Sequence, residues 1–428
     1  MIFIAFFISV LFLFLSYIKY RDLYNPYIAF NLLWTIVFGL CSVGNEYIYE
    51  PYDDAKYCVF LGVVAYNLSI YLPKIKIKNL NNIFNNISKR DINFTYINIL
   101  AFFILIFSII ESKGAIGILE SGGQLSDVRV SYYSYDSDSS ILLSYFNKYV
   151  ISPLRYLLIV STIIGFFNQQ RINKFLMLNC AGIVLLQTIT SGGRYLLMNI
   201  FFMCICAFMI FSRNYMVSYK KKFIIFLSSV VILMSIIYVT NIRATALSSD
   251  MSTWERLYLT IYQYFVGSIT YLGVVTESWP FIVGSTLGIN FIAGFVTPIF
   301  AFLTFTGLVP YPEMLKIIGK YACEVMRIGD NSYYNAIPTV FGYFYIDGGL
   351  FLTFVESLLF GYICKMTYMR VNEKNIVFIF FYILLYMQVC NMSTRWFFYT
   401  PDYALAFLYV YIFVKYFCKN NIEVVKRR

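Results

Sequence analysis

The chain has 428 residues, 60% of them hydrophobic, 20% aromatic and only 13% charged, with a mean hydropathy of +0.69 and a formal net charge of +11. Soluble domains carry about a quarter of their residues as charges, so a water-soluble fold, a disordered chain, a nucleic-acid-binding domain and a disulfide scaffold all fit poorly. A bilayer can act as the solvent instead, and the expected fold class is all-α: one polytopic integral membrane domain over 1–428.

A membrane-crossing helix needs about 20 mainly apolar residues. Runs of that kind lie near 2–18, 27–43, 57–73, 96–111, 149–167, 174–190, 195–212, 222–240, 345–364, 376–391 and 402–418, which gives eleven transmembrane helices. The first run has no basic residue before it and no small-residue cleavage site after it, so it reads as a retained anchor rather than a signal peptide. Two further apolar stretches, 258–275 and 281–308, fit a re-entrant pair, interfacial segments or two more crossings. Parity allows zero or two extra crossings, hence eleven spans or thirteen.

Basic loops resist translocation, and this orients the chain. Alternating sides backwards from Lys419, Lys426, Arg427 and Arg428 places 21 of the 33 basic residues in the cytoplasm and 17 of the 22 acidic residues outside. The amino terminus is then outside and the carboxyl terminus cytoplasmic. Two outward stretches are long, 112–148 and 241–344, the second lying between spans eight and nine. No repeat of fixed period and no separate soluble catalytic module is visible.

The sequence contains no histidine, which removes the usual general base, the usual metal ligand and every Ser-His or Cys-His nucleophile pair. Its nine cysteines are scattered with no CxxC pair, so they read as small buried hydrophobes; no metal and no cofactor is expected. Chemistry must then rest on carboxylates, arginines, lysines or tyrosines.

Four arginines fall at the outward ends of spans: Arg155 after Pro153, Arg194 after the Ser191-Gly192-Gly193 turn, Arg243 after span eight and Arg395 after span ten. Outward basic residues comprise seven arginines to five lysines, against seven to fourteen inside. A guanidinium offers a planar fork of donors suited to phosphate oxygens and stays charged in a partly dry site. The four therefore suggest an outward cationic pocket. The plainer alternative is that each one snorkels to headgroups or pairs with a nearby acid. Glu356, mid-span, is an intramembrane ionisable group and so a functional candidate, or else a protonated acid bonded to a neighbouring helix. Asp347 lies at the outer start of the same span, and Asp127, Asp330 and Asp402 are outward as well. Tyr132, Tyr133, Tyr135, Trp254, Tyr262, Tyr264, Tyr333, Tyr334 and Trp396 fit either sugar stacking or an ordinary interfacial aromatic belt.

Three features together, the absence of histidine, the Ser191-Gly192-Gly193-Arg194 turn and the closing segment Asn335 to Gly349 after a large late outward loop, resemble the O-antigen polymerases, which polymerise oligosaccharide repeat units for bacterial surface polysaccharides. Thr339 to Gly349 resembles a Thr-x-Phe-Gly...Tyr-x-Asp-Phe-Gly pattern, with Gly348 standing where an aromatic is expected. The resemblance implies glycosyl transfer at the outer face of the bacterial cytoplasmic membrane, building O-antigen or capsule. The substrates would be polyprenyl-diphosphate-linked oligosaccharides held in the lipid bilayer. A chain-length regulator and a flippase of the same pathway would be further partners, and no nucleic acid would be one. On that reading Arg155, Arg194, Arg243 and Arg395 bind the substrate diphosphate and stabilise its departure without a metal, and Asp347 is the catalytic base. A flippase or exporter of the same lipid-linked sugar is the nearest rival, although transporters usually show paired repeats and short loops. A proton-coupled transporter using Glu356 and a nonenzymatic envelope scaffold follow. The related O-antigen ligases share the architecture, but their pattern includes a histidine in the large outer loop.

Overall fold

Backbone polar groups have no water to turn to inside a bilayer, so apolar runs satisfy them within helices. The computed structural model describes residues 1–74, 90–124, 127–128, 131, 141–168, 173–193, 195–214, 234, 252–278, 283–284, 286–316, 325–330, 332–334, 338–371 and 375–420. Over these residues the protein is all-α, polytopic and membrane-embedded, with seven helices long and apolar enough to cross a membrane. In chain order the helices are α1 (Ile2–Tyr20), α2 (Pro26–Val43), α3 (Asp53–Leu68), α4 (Phe94–Glu120), α5 (Ile141–Phe146), α6 (Ser152–Asn168), α7 (Lys174–Ser191), α8 (Tyr195–Asn214), α9 (Thr253–Phe265), α10 (Gly267–Ser278), α11 (Ile289–Phe305), α12 (Val340–Val371), α13 (Ile376–Cys390) and α14 (Pro401–Phe417).

Polar residues at the ends of the apolar runs set the helix limits. The side chains of Asn25, Asn93 and Asn173 accept backbone N–H groups at the starts of α2, α4 and α7, and Pro26 occupies the first position of α2, where its missing donor does no harm. Gly192, at φ 53°, closes α7 in the left-handed conformation that glycine adopts readily. Seven of the expected spans coincide with long apolar helices, while α3, α13 and α14 occupy 57–73, 376–391 and 402–418 as shorter helices. The expected span at 222–240 lies outside the described residues apart from Met234. α4 runs on to Glu120, beyond the apolar stretch that announced it.

The chain packs as two compact units. The first gathers Met1–Lys76, Trp254–Glu373 and Gln388–Leu405. In it α1 lies along α2, and α3 lies along α12 so closely that a Cβ on Gly62 would overlap the Phe341 ring. A polar strip crosses this apolar seam. Asn31 and Asn67 exchange amide hydrogen bonds of 2.8 Å, and the Tyr27 hydroxyl meets Ser69 Oγ at 2.6 Å and the Gly361 carbonyl at 3.1 Å. Trp396, almost wholly buried, is ringed by Phe291, Phe344, Phe360 and Phe398 at centroid distances of 4.9–5.3 Å.

The second unit gathers Ile77–Thr253, Lys374–Met387 and Ala406–Arg428. Here α4 packs on α7, α6 packs on α7 and α8, and strand β1 (Arg90–Ile92) pairs antiparallel with β4 (Cys418–Asn420). A π-helical turn, Asn147–Ile151, joins α5 to α6 just ahead of Pro153. Proline has no N–H to give to the preceding turn, and a widened turn absorbs that loss.

The stretch expected as one large loop, 241–344, is structured where it is described. It contains α9, α10, α11 and a short hairpin of β2 (Met326–Arg327) and β3 (Tyr333–Tyr334). With 13 and 12 residues, α9 and α10 are about 20 and 18 Å long, well short of a hydrocarbon core about 30 Å thick.

Candidate functional site

Carboxyl chemistry concentrates in the first unit, where α12 breaks. Gly348 and Gly349 leave the helical conformation, and Gly349 sits at φ 64°, a region that glycine enters without the steric penalty other residues meet. The break frees the Ile346 and Asp347 carbonyls, which accept the backbone N–H groups of Gly284 at 2.9 Å and Leu287 at 3.1 Å. A crossing segment is thereby tied over the interruption, and it runs directly into α11.

Asp347 is fully buried at this point. Its Oδ1 accepts the Thr286 hydroxyl at 2.5 Å and the Asn290 N–H at 3.0 Å, while Oδ2 accepts the Phe291 N–H at 3.1 Å. Those N–H groups belong to the first turn of α11, whose own N-cap is Gly288 and brings no side chain. Asp347 therefore caps α11 from a different helix, where a carboxylate also meets the positive end of the helix dipole. No part of the carboxylate is open to an acceptor hydroxyl. The sequence reading placed Asp347 as an outward base; the fold makes it a buried cap. Glu356, 5% exposed, stands close enough to act on Asp347, and its Oε1 lies 3.6 Å from where a Cβ on Gly288 would stand.

Of the four arginines, Arg395 belongs to the first unit and Arg155 to the second, while Arg194 and Arg243 lie outside the described residues. The proposed four-arginine pocket is thus represented here by two of its members, each in its own setting. Arg395 is half-buried, follows α13, and has its charge within reach of the buried Tyr334 hydroxyl, which also neighbours Tyr264, Tyr271 and Ser268. Arg155 is buried and ion-paired: its Nη2 lies 2.6 Å from Glu111 Oε2 and 3.5 Å from Ser108 Oγ. Asn147, carried inward by the π turn, donates to the other Glu111 oxygen. Arg155 Nε and Asn147 Oδ1 are buried without a hydrogen-bond partner among the described residues. The nearby-acid alternative thus describes Arg155, and sequence reading missed Glu111 because it lies 44 residues away.

A polar layer caps the first unit. Tyr49 donates its N–H to the Ile328 carbonyl at 2.8 Å and its hydroxyl to Asp330 at 2.8 Å, and Arg327 closes the same turn on Asp330. The Tyr52 phenol is pushed above its ordinary value by hydrogen bonding to Glu277 and by its charge, and Glu46 acts in the same way on Tyr47. Burial draws the Lys56 ammonium down, but Glu50 at 2.6 Å and Asp53 at 3.1 Å outweigh it and the net shift is upward. Of the aromatic residues considered for sugar stacking, Trp396, Tyr262 and Tyr334 are buried, Trp254 is 80% exposed, and Tyr132, Tyr133 and Tyr135 lie outside the described residues. Asp127, in the stretch after α4, accepts the Gln124 N–H at 2.7 Å. No cluster of three or more metal-ligating side chains occurs among the described residues. No protein family model, no curated protein and no solved structure matches the chain.

Proposed function

We propose that this protein polymerises polyprenyl-diphosphate-linked oligosaccharide repeat units by glycosyl transfer at the outer face of the bacterial cytoplasmic membrane. On this reading the chain crosses eleven times, or thirteen, with its amino terminus outside and its carboxyl terminus in the cytoplasm. Three things support it: a membrane-embedded chain without histidine, the resemblance of the Thr339 to Gly349 stretch, and the excess of outward arginines. The observation that carries it is Arg395, a half-buried guanidinium after α13 whose charge acts on the buried Tyr334 hydroxyl. A fixed cation of this kind is what a departing diphosphate requires, because it stabilises charge where charge develops. Arg155, Arg194 and Arg243 remain proposed partners in that role, with Arg155 contributing its Nε edge while Glu111 holds its Nη2.

The proton-accepting role moves off Asp347 to a less buried carboxylate, and Asp402, half-buried at the start of α14, is the proposed base; Asp347 is a positioning residue. Purified protein incubated with lipid-linked repeat units should yield a ladder of lengths on a gel, and Arg395→Ala should abolish it at unchanged protein level. A single transferred unit would indicate a ligase instead. The broken α12 favours a second reading, a flippase of the same lipid-linked sugar, because transporter sites are commonly built at interrupted helices. Sugar that changes leaflet without changing length would establish that reading and end the first.

A further inference from the structure

The carboxyl pair at the break of α12 is a site in its own right, independent of the reaction proposed above. In an unbroken helix, positions 347 and 356 would stand about 13 Å apart along the axis and on opposite faces, since nine residues make two and a half turns. The two glycines bring them together. Asp347 is complete as an anion, with three donors on its two oxygens. Glu356 is not. It is 5% exposed, and among the described residues its Oε2 has no hydrogen-bond partner and no lysine or arginine acts on either carboxyl. Two carboxyl groups this close hydrogen-bond only when one of them keeps its proton, and a proton on Glu356 would give that carboxyl a donor for Asp347. The pair then carries a single negative charge, set against the N-terminus of α11.

We propose that Asp347 and Glu356 form a buried proton-binding site that holds one proton between them and thereby clasps the second half of α12 to the crossing segment and the start of α11. Opening the break to water leaves both carboxyls ionised, so the Glu356 proton passes to solvent and one proton is released per opening; closing takes it back. The site thus couples the position of α11 to proton activity. The other titratable groups on the packed elements are not among those acting on the pair. On α3, the Cys58 thiol lies 3.8 Å from Thr353 Oγ1 and Asp54 acts on Tyr345; on α2, Tyr27 bonds Ser69; after α13, Arg395 acts on Tyr334. Asp402 and Tyr403, at the start of α14, and Lys365, bonded to the Ile70 and Leu72 carbonyls, are likewise not among the groups acting on the pair. α11 and the segment Thr286 to Gly288 contribute no titratable side chain.

The test is infrared spectroscopy of the purified full chain in lipid nanodiscs at neutral pH, in H2O and D2O. A C=O band of a protonated carboxyl that shifts in D2O and disappears in Glu356→Gln is the expected result. No such band in the wild type, or a band unchanged in Glu356→Gln, overturns the proposal. Thermal melting supplies a second reading, because the glutamine amide keeps a donor toward Asp347 and the alanine does not. Glu356→Gln should melt near the wild-type temperature and Glu356→Ala several degrees lower. If both melt equally low, the clasp is not a protonated one. Neither measurement depends on polymer formation, so failure here and failure of the proposed reaction are told apart.

Discussion

Two buried polar sites, one in each compact unit, solve the same problem in opposite ways. At Arg155 a guanidinium is neutralised by Glu111 of a neighbouring helix, with Asn147 steadying the acid. At Asp347 no counter-charge is supplied; backbone N–H groups, a hydroxyl and a second carboxyl do the work. An opposite-charge pair is self-sufficient once formed and resists change. A like-charge pair persists only while a proton and a helix end hold it, so it responds to its surroundings. The contrast separates a fixed strut from a responsive junction.

The largest effect is expected from splitting the strut. Arg155→Ala or Glu111→Ala leaves one charge buried alone and should cost about 3–5 kcal/mol, read as loss of folded protein in detergent by size exclusion. Replacing both with leucine should restore folding. If the double variant also polymerises repeat units, Arg155 serves structure and not diphosphate binding. On the other side of the comparison, Asp347→Ala removes the cap of α11 and three hydrogen bonds to a carboxylate, for a loss of about 2–3 kcal/mol measured by thermal melting. An unchanged melting temperature would mean that α11 does not depend on that carboxylate.

Gly349→Ala tests the break itself. A Cβ at φ 64° should cost about 1–2 kcal/mol by strain, although its nearest contact, Val283 Cγ1 at 3.6 Å, leaves ordinary room. Loss by steric exclusion alone would therefore contradict this account. The smallest effect concerns the capping layer. The Tyr52 phenol holds its proton more tightly in the folded chain because of Glu277, so the folded state binds more protons once an unfolded phenol would ionise. The contribution is complete below pH 10.0 and is lost as pH rises through the higher folded value, and Glu277→Gln should flatten that dependence in an alkaline melting series.

Much of the fold could be read from the sequence because lipid imposes a simple requirement. Runs such as 2–18, 27–43 and 195–212 had to be helices, and they are. Composition also directed attention to Glu356 and Asp347, since an ionisable group inside a span needs a reason to be there. What stayed hidden was their meeting. Periodicity places the two on opposite faces, and the break at Gly348 and Gly349 reverses that; Gly348 first shows itself as a departure from a motif. The Arg155 partner was hidden for a related reason, because Glu111 is 44 residues away and only the packing of α4 against α6 brings the two together. Burial likewise moved Trp396 from a suspected sugar platform into the core, where its indole N–H bonds the Phe291 carbonyl at 3.2 Å. Outwardness along the chain says which side a residue leaves from, not whether neighbours cover it.

Gly294 on α11 lies so near the turn after α13 that an added Cβ would come within 2.5 Å of the Thr400 carbonyl oxygen and 2.6 Å of that of Phe398. Pro298, four residues on, has no N–H for the Gly294 carbonyl, so the rod is already loosened at the level of that notch. Turning α11 about its axis would bring the side chains of Ala293 or Phe295 toward those two oxygens, and sliding it would bring those of Phe291 or Thr297, which share the face of Gly294. The notch therefore fixes α11 in both rotation and register, so a side chain at position 294 would push the helix off the turn after α13.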